Sequence, residues 1–553
     1  MAGICGIFGL MDQELLKRMT KILKRRGTDG EYYCFEKNVA FGYCFQYLEG
    51  HSLGLQPLSK KNGSIWACID GCIYNAEELR VTLEGMGHSF QTEDDSEVIL
   101  RAYEEWDHAC FEYFDGMFAI ALWDSRKKEL LLVRDRMGCK PFYYAFSPNL
   151  QQFVFASEIK AILANPSFER AINYTALCEL KVLKYTTGDK TFLEKVFQVL
   201  PGYRVSVGED DGNIFFQKYQ FGRIEFKPMQ TSEKQAAKKL KKILENSVER
   251  CLQDDTGIFL SGGLDSTIIA VLASDLCASQ LYTFNIADTM DFEDRMFSRK
   301  VAEYIDSEHT EITTTLDEQI AELPTMVFLA EIPGKRGATY LVAKKVREKV
   351  NVALTGEGSD EIFGGYWLDL KAYENRLYKR FREIQDIKGA EPIASYLSSM
   401  FKSYNNIQLN NMTHQLANGH LLFHDKTSLD VQIRFPFLKG SVVDFSNALP
   451  KELKVAQGKL KHILRIAFDF RDTPLQNISE REKSTYSDAF RNVDTELMEF
   501  VDDVISDRYY KSHPYRQFFS SKSDMVFFDL FYKIFIEDGG KEPEFGLRDL
   551  YSY

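Results

Sequence analysis

Gly257-Ile-Phe-Leu-Ser261-Gly-Gly-Leu-Asp265-Ser266 runs from an apolar segment into small polar residues, and residues 267–276 follow with helical character. The order reads as buried strand, loop, helix. Gly262 and Gly263 let backbone N–H groups come close to an anion. Ser261 and Ser266 add hydroxyl donors, and the helix N-terminus adds the positive end of its dipole. Asp265 offers a hard oxygen ligand for Mg²⁺. A plain turn before a helix is the competing reading, and a bare Gly-Gly would deserve it. The six-residue string directly after an apolar strand favours a phosphate loop. No Gly-Lys-Ser/Thr follows, so the loop is not of the Walker type.

Moving outward, a second loop has related chemistry: Thr355-Gly-Glu357-Gly-Ser359-Asp360-Glu361-Ile-Phe-Gly-Gly-Tyr366. It follows the apolar run 352–354, and ligand sites in parallel sheets lie at the carboxyl ends of strands. A solvated acidic turn is the bland alternative. Placed beside a phosphate loop, Asp360 would supply the second carboxylate that Mg²⁺ needs. Residues 234–251 read as an amphipathic helix. Residues 257–260, 281–286 and 351–354 read as buried strands alternating with helices, hence a parallel sheet.

Upstream the pattern differs. Residues 39–45, 65–69, 117–123 and 130–133 are strand-like runs separated by turn signals, and 96–106 is a helix opened by acidic residues. Antiparallel strands with a few helices predict an α+β sandwich. Residues 221–232 read as a plausible connection. The Phe- and Tyr-rich stretch 515–535 reads as helix packing rather than a cofactor box.

At 553 residues the chain accommodates two or three domains. A formal net charge of −13 disfavours a nucleic-acid partner, which needs a basic face. No apolar run approaches the roughly 18 residues of a membrane span, and no signal peptide is read at the N-terminus. Ten scattered cysteines suit reduced thiols in a cytoplasmic protein. Cys68 and Cys72 read as strand residues rather than a zinc site.

The 261–266 string resembles the pyrophosphate loop of the N-type ATP pyrophosphatases, which cleave ATP between the α- and β-phosphates. Together with the 355–366 loop it resembles asparagine synthetase. The match extends through residues 281–286 and 309–311, Gln432-Ile-Arg-Phe-Pro-Phe-Leu438, Lys461-His-Ile-Leu-Arg465, Arg481-Glu-Lys483-Ser-Thr-Tyr-Ser487-Asp488 and 519–535. The resemblance implies that ATP contacts Leu260, Ser261, Gly262, Gly263, Asp265, Ser266, Ile286, Thr355 and Gly356. It implies that Asp265 and Asp360 hold Mg²⁺, that Glu357 serves acyl-adenylate formation, and that Lys483 stabilises the acyl-adenylate. Lys461, in a helix ending at Arg465, reads as pairing with substrate or facing solvent. His309 and His462 read as structural.

The N-terminal part resembles a class II glutamine amidotransferase through Cys5-Gly-Ile-Phe-Gly9, Arg26-Gly-Thr-Asp29, Gln56-Pro-Leu58, Asp70-Gly-Cys-Ile-Tyr-Asn75, Asp95-Ser-Glu-Val98, Gly116-Met-Phe118 and Arg134-Asp-Arg-Met-Gly138. That family uses an N-terminal cysteine with a free α-amino base, an arginine for the glutamine carboxylate, and an Asn-Gly pair as oxyanion hole. Here four residues precede Cys5, Phe45 stands at the arginine position, and the pair is Asp70-Gly71. Asp95 and Gly71 keep the pattern. Cys5, Asp70, Gly71 and Asp95 are thus expected to form a vestigial glutaminase site. In the other half, the 331–340 segment is shorter than its counterpart in the family it resembles, Gln432-Ile433-Arg434 replaces Glu-Ala-Arg, and Lys439 replaces an aspartate. These departures leave the acid substrate open.

The expected fold is an α+β N-terminal amidotransferase-like sandwich (1–205), a linker (206–230), and an α/β parallel-sheet ATP pyrophosphatase domain (231–553). The expected function is ATP-dependent ligation of a carboxylic acid, aspartate favoured, to ammonia or an amine, releasing AMP and pyrophosphate. A specialised amide or β-lactam-type synthetase, and a non-catalytic scaffold, are the alternatives. The partners expected are small molecules, neither nucleic acid nor membrane; a homodimer is allowed.

Overall fold

The structure is a computed structural model. It describes residues 2–46, 56–60, 63–286, 293–334, 339–366, 370–428, 431–456, 458–479 and 491–551. No helix among these is long and apolar enough to cross a membrane.

Two antiparallel sheets build the N-terminal half. One runs in the order Val196–Gln198, Tyr143–Ser147, Gln152–Ala156, Ala2–Gly9, Val39–Phe45, Gly30–Phe35. The other runs Asn213–Gln220, Tyr203–Asp210, Glu129–Arg134, Gly116–Asp124, Ile65–Ile73, Leu58–Ser59. Alternation along Gly116–Asp124 explains the layering. Ala119, Ala121 and Trp123 face the other sheet and pack with Phe8, Phe41 and Phe155. Phe118, Ile120 and Leu122 face outward onto Val98, Ile99 and Phe111 of the helical layer. Each sheet therefore buries both faces, as in the expected sandwich. The sheet also continues past residue 205. Val205 and Val207 pair with Leu132 and Leu130, and Asn213–Gln220 closes the hairpin. The linker reading from 206 gives way to a connection confined to residues 221–232, because this hairpin alternates buried Val205 and Val207 with polar Arg204 and Ser206.

Helix Glu233–Glu249 opens the C-terminal half with a capping box between Ser232 and Gln235. A five-stranded parallel sheet follows, in the order Glu308–Ile312, Tyr282–Ile286, Thr256–Phe259, Val352–Leu354, Gln432–Arg434. Numbered by chain position, the strands stand 3-2-1-4-5. The switch point, where successive connections leave in opposite directions, falls between Thr256–Phe259 and Val352–Leu354. Loops at the carboxyl ends of such a pair form a crevice suited to a ligand.

The halves share one apolar core, in which Phe527, Phe531 and Phe535 pack with Ile162, Leu177 and Val182. Residues 515–535 thus include packed helix (Lys522–Phe531), as expected. Beside this core lies a buried seam of charge. Arg26 donates to Asp70 at 2.7 Å, Asp425 at 2.6 Å and Glu158 at 3.3 Å. Lys140 reaches Asp425 at 2.7 Å, Lys160 reaches Glu158 at 2.6 Å, and Lys426 reaches Glu331 at 2.5 Å. Four cations and four carboxylates alternate across the two halves, so burial leaves no net charge uncompensated.

Candidate active site

The loop after Thr256–Phe259 is held as a cradle. Leu260 N–H donates to Phe284 O at 2.8 Å, and Asn285 Nδ2 donates to Leu260 O at 3.0 Å. Ser266 Oγ accepts from Ser261 N at 3.2 Å and lies 3.1 Å from Ser261 Oγ, which accepts from Gly263 N at 3.3 Å. Gly262 has φ +71°, and a β-carbon there would stand 2.7 Å from Ser298 N, so the turn requires glycine. Helix Leu264–Leu276 begins directly after, with Asp265 in its first turn.

Thr355 and Gly356 leave the neighbouring strand and press against this loop; a β-carbon on Gly356 would come within 2.9 Å of Asp265 Cβ. Leu260, Ile286 and Thr355 thus mark the carboxyl ends of three adjacent strands. Asp265 Oδ1 accepts from Ser359 Oγ at 2.7 Å. Lys461 pairs with Asp265 and, at 2.6 Å, with Asp360. Lys461 therefore neither faces solvent nor waits for substrate. It is a buried cation at the left-handed N-cap of helix His462–Ala467. Burial alone would lower its pKa, but Asp265 and Asp360 outweigh this and raise it above the ordinary lysine value. One Nζ touching both carboxylates means that they converge on one point. That donor set, two hard oxygens with a hydroxyl beside them, fits a divalent cation such as Mg²⁺.

Glu357 lies farther along the same loop. His420 Nδ1 stands 3.2 Å from its Oε2 and His424 Nε2 3.8 Å from its Oε1. The side chains of Glu357, His420 and His424 are 31%, 26% and 21% exposed, so the group opens to solvent. Burial acts to raise the Glu357 carboxyl, but the two histidines outweigh it and hold the group well below its ordinary value. Buried Glu361 accepts from Tyr366 OH at 2.6 Å, and burial pushes its carboxyl up to about 7. Both histidines come from one continuous helix: Tyr404–Asn410, a wide π-helical stretch Asn411–Leu421, and Leu422–Thr427. Single π turns often occur at functional sites.

The structure thus gathers Leu260, Ser261, Gly262, Gly263, Asp265, Ser266, Ile286, Thr355, Gly356, Glu357 and Asp360 around one crevice. Lys483 lies outside the described residues. Lys461, His420, His424 and Glu361 join the site without having been assigned to it from sequence. For Lys461 the signal was its motif; for the histidines it was only their i, i+4 spacing.

In the N-terminal half, Cys5 is fully buried in mid-strand between Gly42 and Ala156. Its Sγ lies 3.3 Å from Thr20 Oγ1, and burial pushes the thiol up to about 12. Asp70 belongs to the charged seam and also accepts from Ala2 N at 3.3 Å. Gly71 has φ +126° and lies against Met117 O, where a β-carbon would come within 1.9 Å. Asp95 accepts from Ile73 N at 2.7 Å, and burial raises its carboxyl to about 6. Phe45 stacks between Tyr32 and Tyr43, with ring centroids 5.7 and 6.1 Å away.

Residues 1–220 match the family model of the glutamine amidotransferase domain, and residues 239–531 match that of asparagine synthase. Asparagine synthetase [glutamine-hydrolyzing] 1 of Bacillus subtilis is 28% identical, over 92% of this chain and 90% of that protein. Asparagine synthetase [glutamine-hydrolyzing] 2 of the same organism is 31% identical, over 69% of this chain and 54% of its own length. A putative asparagine synthetase [glutamine-hydrolyzing] 1 of Methanocaldococcus jannaschii is 28% identical, over 82% of each chain.

Proposed function

This chain belongs to the asparagine synthase family of ATP-dependent amide ligases, and from that premise we propose that it adenylates aspartate and transfers free ammonia to the activated carboxyl. The observation that carries this reading is the meeting of the 261–266 and 355–360 loops at the switch point, with Asp265 and Asp360 turned toward one cation position. The substrate carboxylate attacks the α-phosphorus of ATP, and pyrophosphate leaves into the cradle of Ser261, Gly262, Gly263 and Ser266. Mg²⁺, held by Asp265 and Asp360, would supply positive charge against the phosphate oxygens. Glu357 serves formation of the acyl-adenylate, and Lys483 stabilises it. Ammonia then displaces AMP. In the N-terminal half, Cys5, Asp70, Gly71 and Asp95 are the remnant of a glutaminase site that no longer works.

ATP–pyrophosphate exchange, measured with aspartate and a panel of other small acids, tests the reading. Exchange that depends on aspartate, with AMP as the product by phosphorus NMR, is expected. Exchange with a different acid would move the substrate, and release of ADP and phosphate would overturn the assignment.

A further inference from the structure

Ser359 has no task in the adenylation scheme, yet it joins the two loops of the crevice. It is fully buried, and its Oγ donates to Asp265 Oδ1 at 2.7 Å, the length of a hydrogen bond to an ionised oxygen. The other oxygen of Asp265, Oδ2, meets Lys461. The last torsion of an aspartate is soft, so a carboxylate with no fixed donor turns easily. A donor on Oδ1 stops that rotation and leaves Oδ2 presented to the cation position. Ser359 also precedes Asp360 in the chain, so the same bond ties the first carboxylate to the neighbour of the second. Asp360 is braced as well. Gly365 N donates to Asp360 O at 2.8 Å, and a β-carbon on Gly365 would collide with Asp360 Oδ1 and Lys461 Cε. Moving either carboxylate therefore costs a hydrogen bond or a shift of main chain. Such rigidity separates ions. Mg²⁺ holds its oxygens at about 2.0–2.1 Å in near-ideal octahedral geometry, whereas Ca²⁺ accepts about 2.3–2.6 Å and irregular arrangements.

Resting on the nucleotide and metal part of the reading above, we propose that Ser359 is a positioning residue that sets the preference of the site for Mg²⁺ over Ca²⁺. Its hydroxyl hydrogen is committed to Asp265 Oδ1, so it acts through that carboxylate. Without the hydroxyl, Asp265 is free to turn and its spacing to Asp360 loosens. The small ion then loses its fit. The larger ion, which tolerates a wider and less regular set of oxygens, loses less. A hydroxyl that only satisfied a buried carboxylate would instead support both ions alike.

The test uses the full chain and α,β-methylene-ATP, which cannot be split into AMP and pyrophosphate. Calorimetry gives its affinity with Mg²⁺ or with Ca²⁺ as the only divalent ion. The wild-type protein is expected to bind the Mg²⁺ complex more tightly. In Ser359→Ala the Mg²⁺-supported affinity should fall about 10–100-fold, the usual effect of removing the partner of a metal ligand. The Ca²⁺-supported affinity should fall much less, so the preference narrows. Ser359→Cys, which keeps the volume but offers only a weak donor, should follow Ser359→Ala, with circular dichroism checking that both variants are folded. An unchanged Mg²⁺-supported affinity in Ser359→Ala, an equal fall with the two ions, or wild-type behaviour of Ser359→Cys overturns the proposal. Equal binding of the two complexes by the wild-type protein overturns it too, while leaving the nucleotide reading intact. Binding of neither complex would remove that reading, and the proposal with it.

Discussion

Lys461 holds φ +56°, a left-handed backbone that costs a residue with a β-carbon about 1–2 kcal/mol. The fold retains it because the same turn delivers an ammonium to Asp265 and Asp360. Asp360→Asn should therefore do two things. It should weaken the Mg²⁺ dependence of turnover, and it should lower the melting temperature of the nucleotide-free protein, because a buried lysine loses half of its compensation. Unchanged metal dependence would remove Asp360 from the metal site. Glu361 makes a different demand. Its carboxyl sits at about 7 in the fold against about 4.3 unfolded. Between those values the folded state binds more protons, so stability falls as pH rises through that window. Glu361→Gln should thus melt higher than wild type at pH 8 and much like it at pH 4; a gap independent of pH would refute the assignment. Asp265, Glu357 and Asp360 were legible in the sequence because each sits within a few residues of a glycine loop on a strand end. The motif around Lys461 was legible, but its pairing with Asp265 and Asp360 was not, and His420 was not legible at all, because these contacts join elements distant in sequence and only the packing brings them in.

Elements were legible where period and burial agree. Strand Val39–Phe45 and helix Asp95–Trp106 follow directly from their patterns. Helix Leu264–Leu276 starts three residues before its apolar periodicity does, since Asp265 and Ser266 are loop-like in composition yet sit in its first turn. The π-helical stretch Asn411–Leu421 was not legible. Its wide turns shift the helical phase, so no 3.6-residue apolar repeat runs through Asn411-Met-Thr-His-Gln. Helix Leu316–Ala330 shows how one element stabilises another. Its C-cap residue Glu331 is buried and accepts from Ile159 N at 3.0 Å, Lys160 N at 2.8 Å and Lys426 Nζ at 2.5 Å. A carboxylate from the C-terminal half thus caps helix Ile159–Ile162 of the N-terminal half. Glu331→Gln strands Lys426 as a buried cation and should cost about 3–5 kcal/mol, the usual penalty for breaking a buried pair from one side. Chemical denaturation reads this directly; a loss below about 1 kcal/mol would mean that the seam is wetter than its burial implies.

At the scale of the whole molecule the seam welds a glutamine amidotransferase fold to a ligase. Asp425 is held at about 2 by Arg26 and Lys140 despite its burial, against about 3.9 unfolded. A depressed carboxyl contributes stability that is complete above the unfolded value and fades as pH falls toward 2. Loss of contact between the halves, followed by small-angle scattering, is therefore expected between about pH 4 and 2, and Asp425→Asn should move it toward neutrality. The seam also bears on what the N-terminal half can do. We predict that the protein does not hydrolyse glutamine at a useful rate. Attack needs a thiolate with a base at hand. Cys5 is sealed in mid-strand with its thiol raised to about 12, and its main chain continues to Ile4 instead of ending in a free amine. The oxyanion that would form needs neutral or positive donors. The side chain at position 70 instead accepts hydrogen bonds from Arg26 and from Ala2 N within the seam, so it is turned away from a donor's role. Phe45 stacks on Tyr32 and Tyr43 and offers no charge to a substrate carboxylate; a charged hydrogen bond there would contribute about 1.5–3 kcal/mol. Losing one oxyanion donor typically lowers turnover about 10²–10³-fold, and residues of one site act as a unit, so the losses need not add for activity to vanish. Glutamate release from glutamine, with Cys5→Ala as control, checks this. Equal background in both proteins is the expected result, alongside amide formation driven by ammonium salts. Glutamate release that disappears in Cys5→Ala would show that proteolysis exposes Cys5 in the native protein, and would make glutamine, delivered across the seam, the true nitrogen donor.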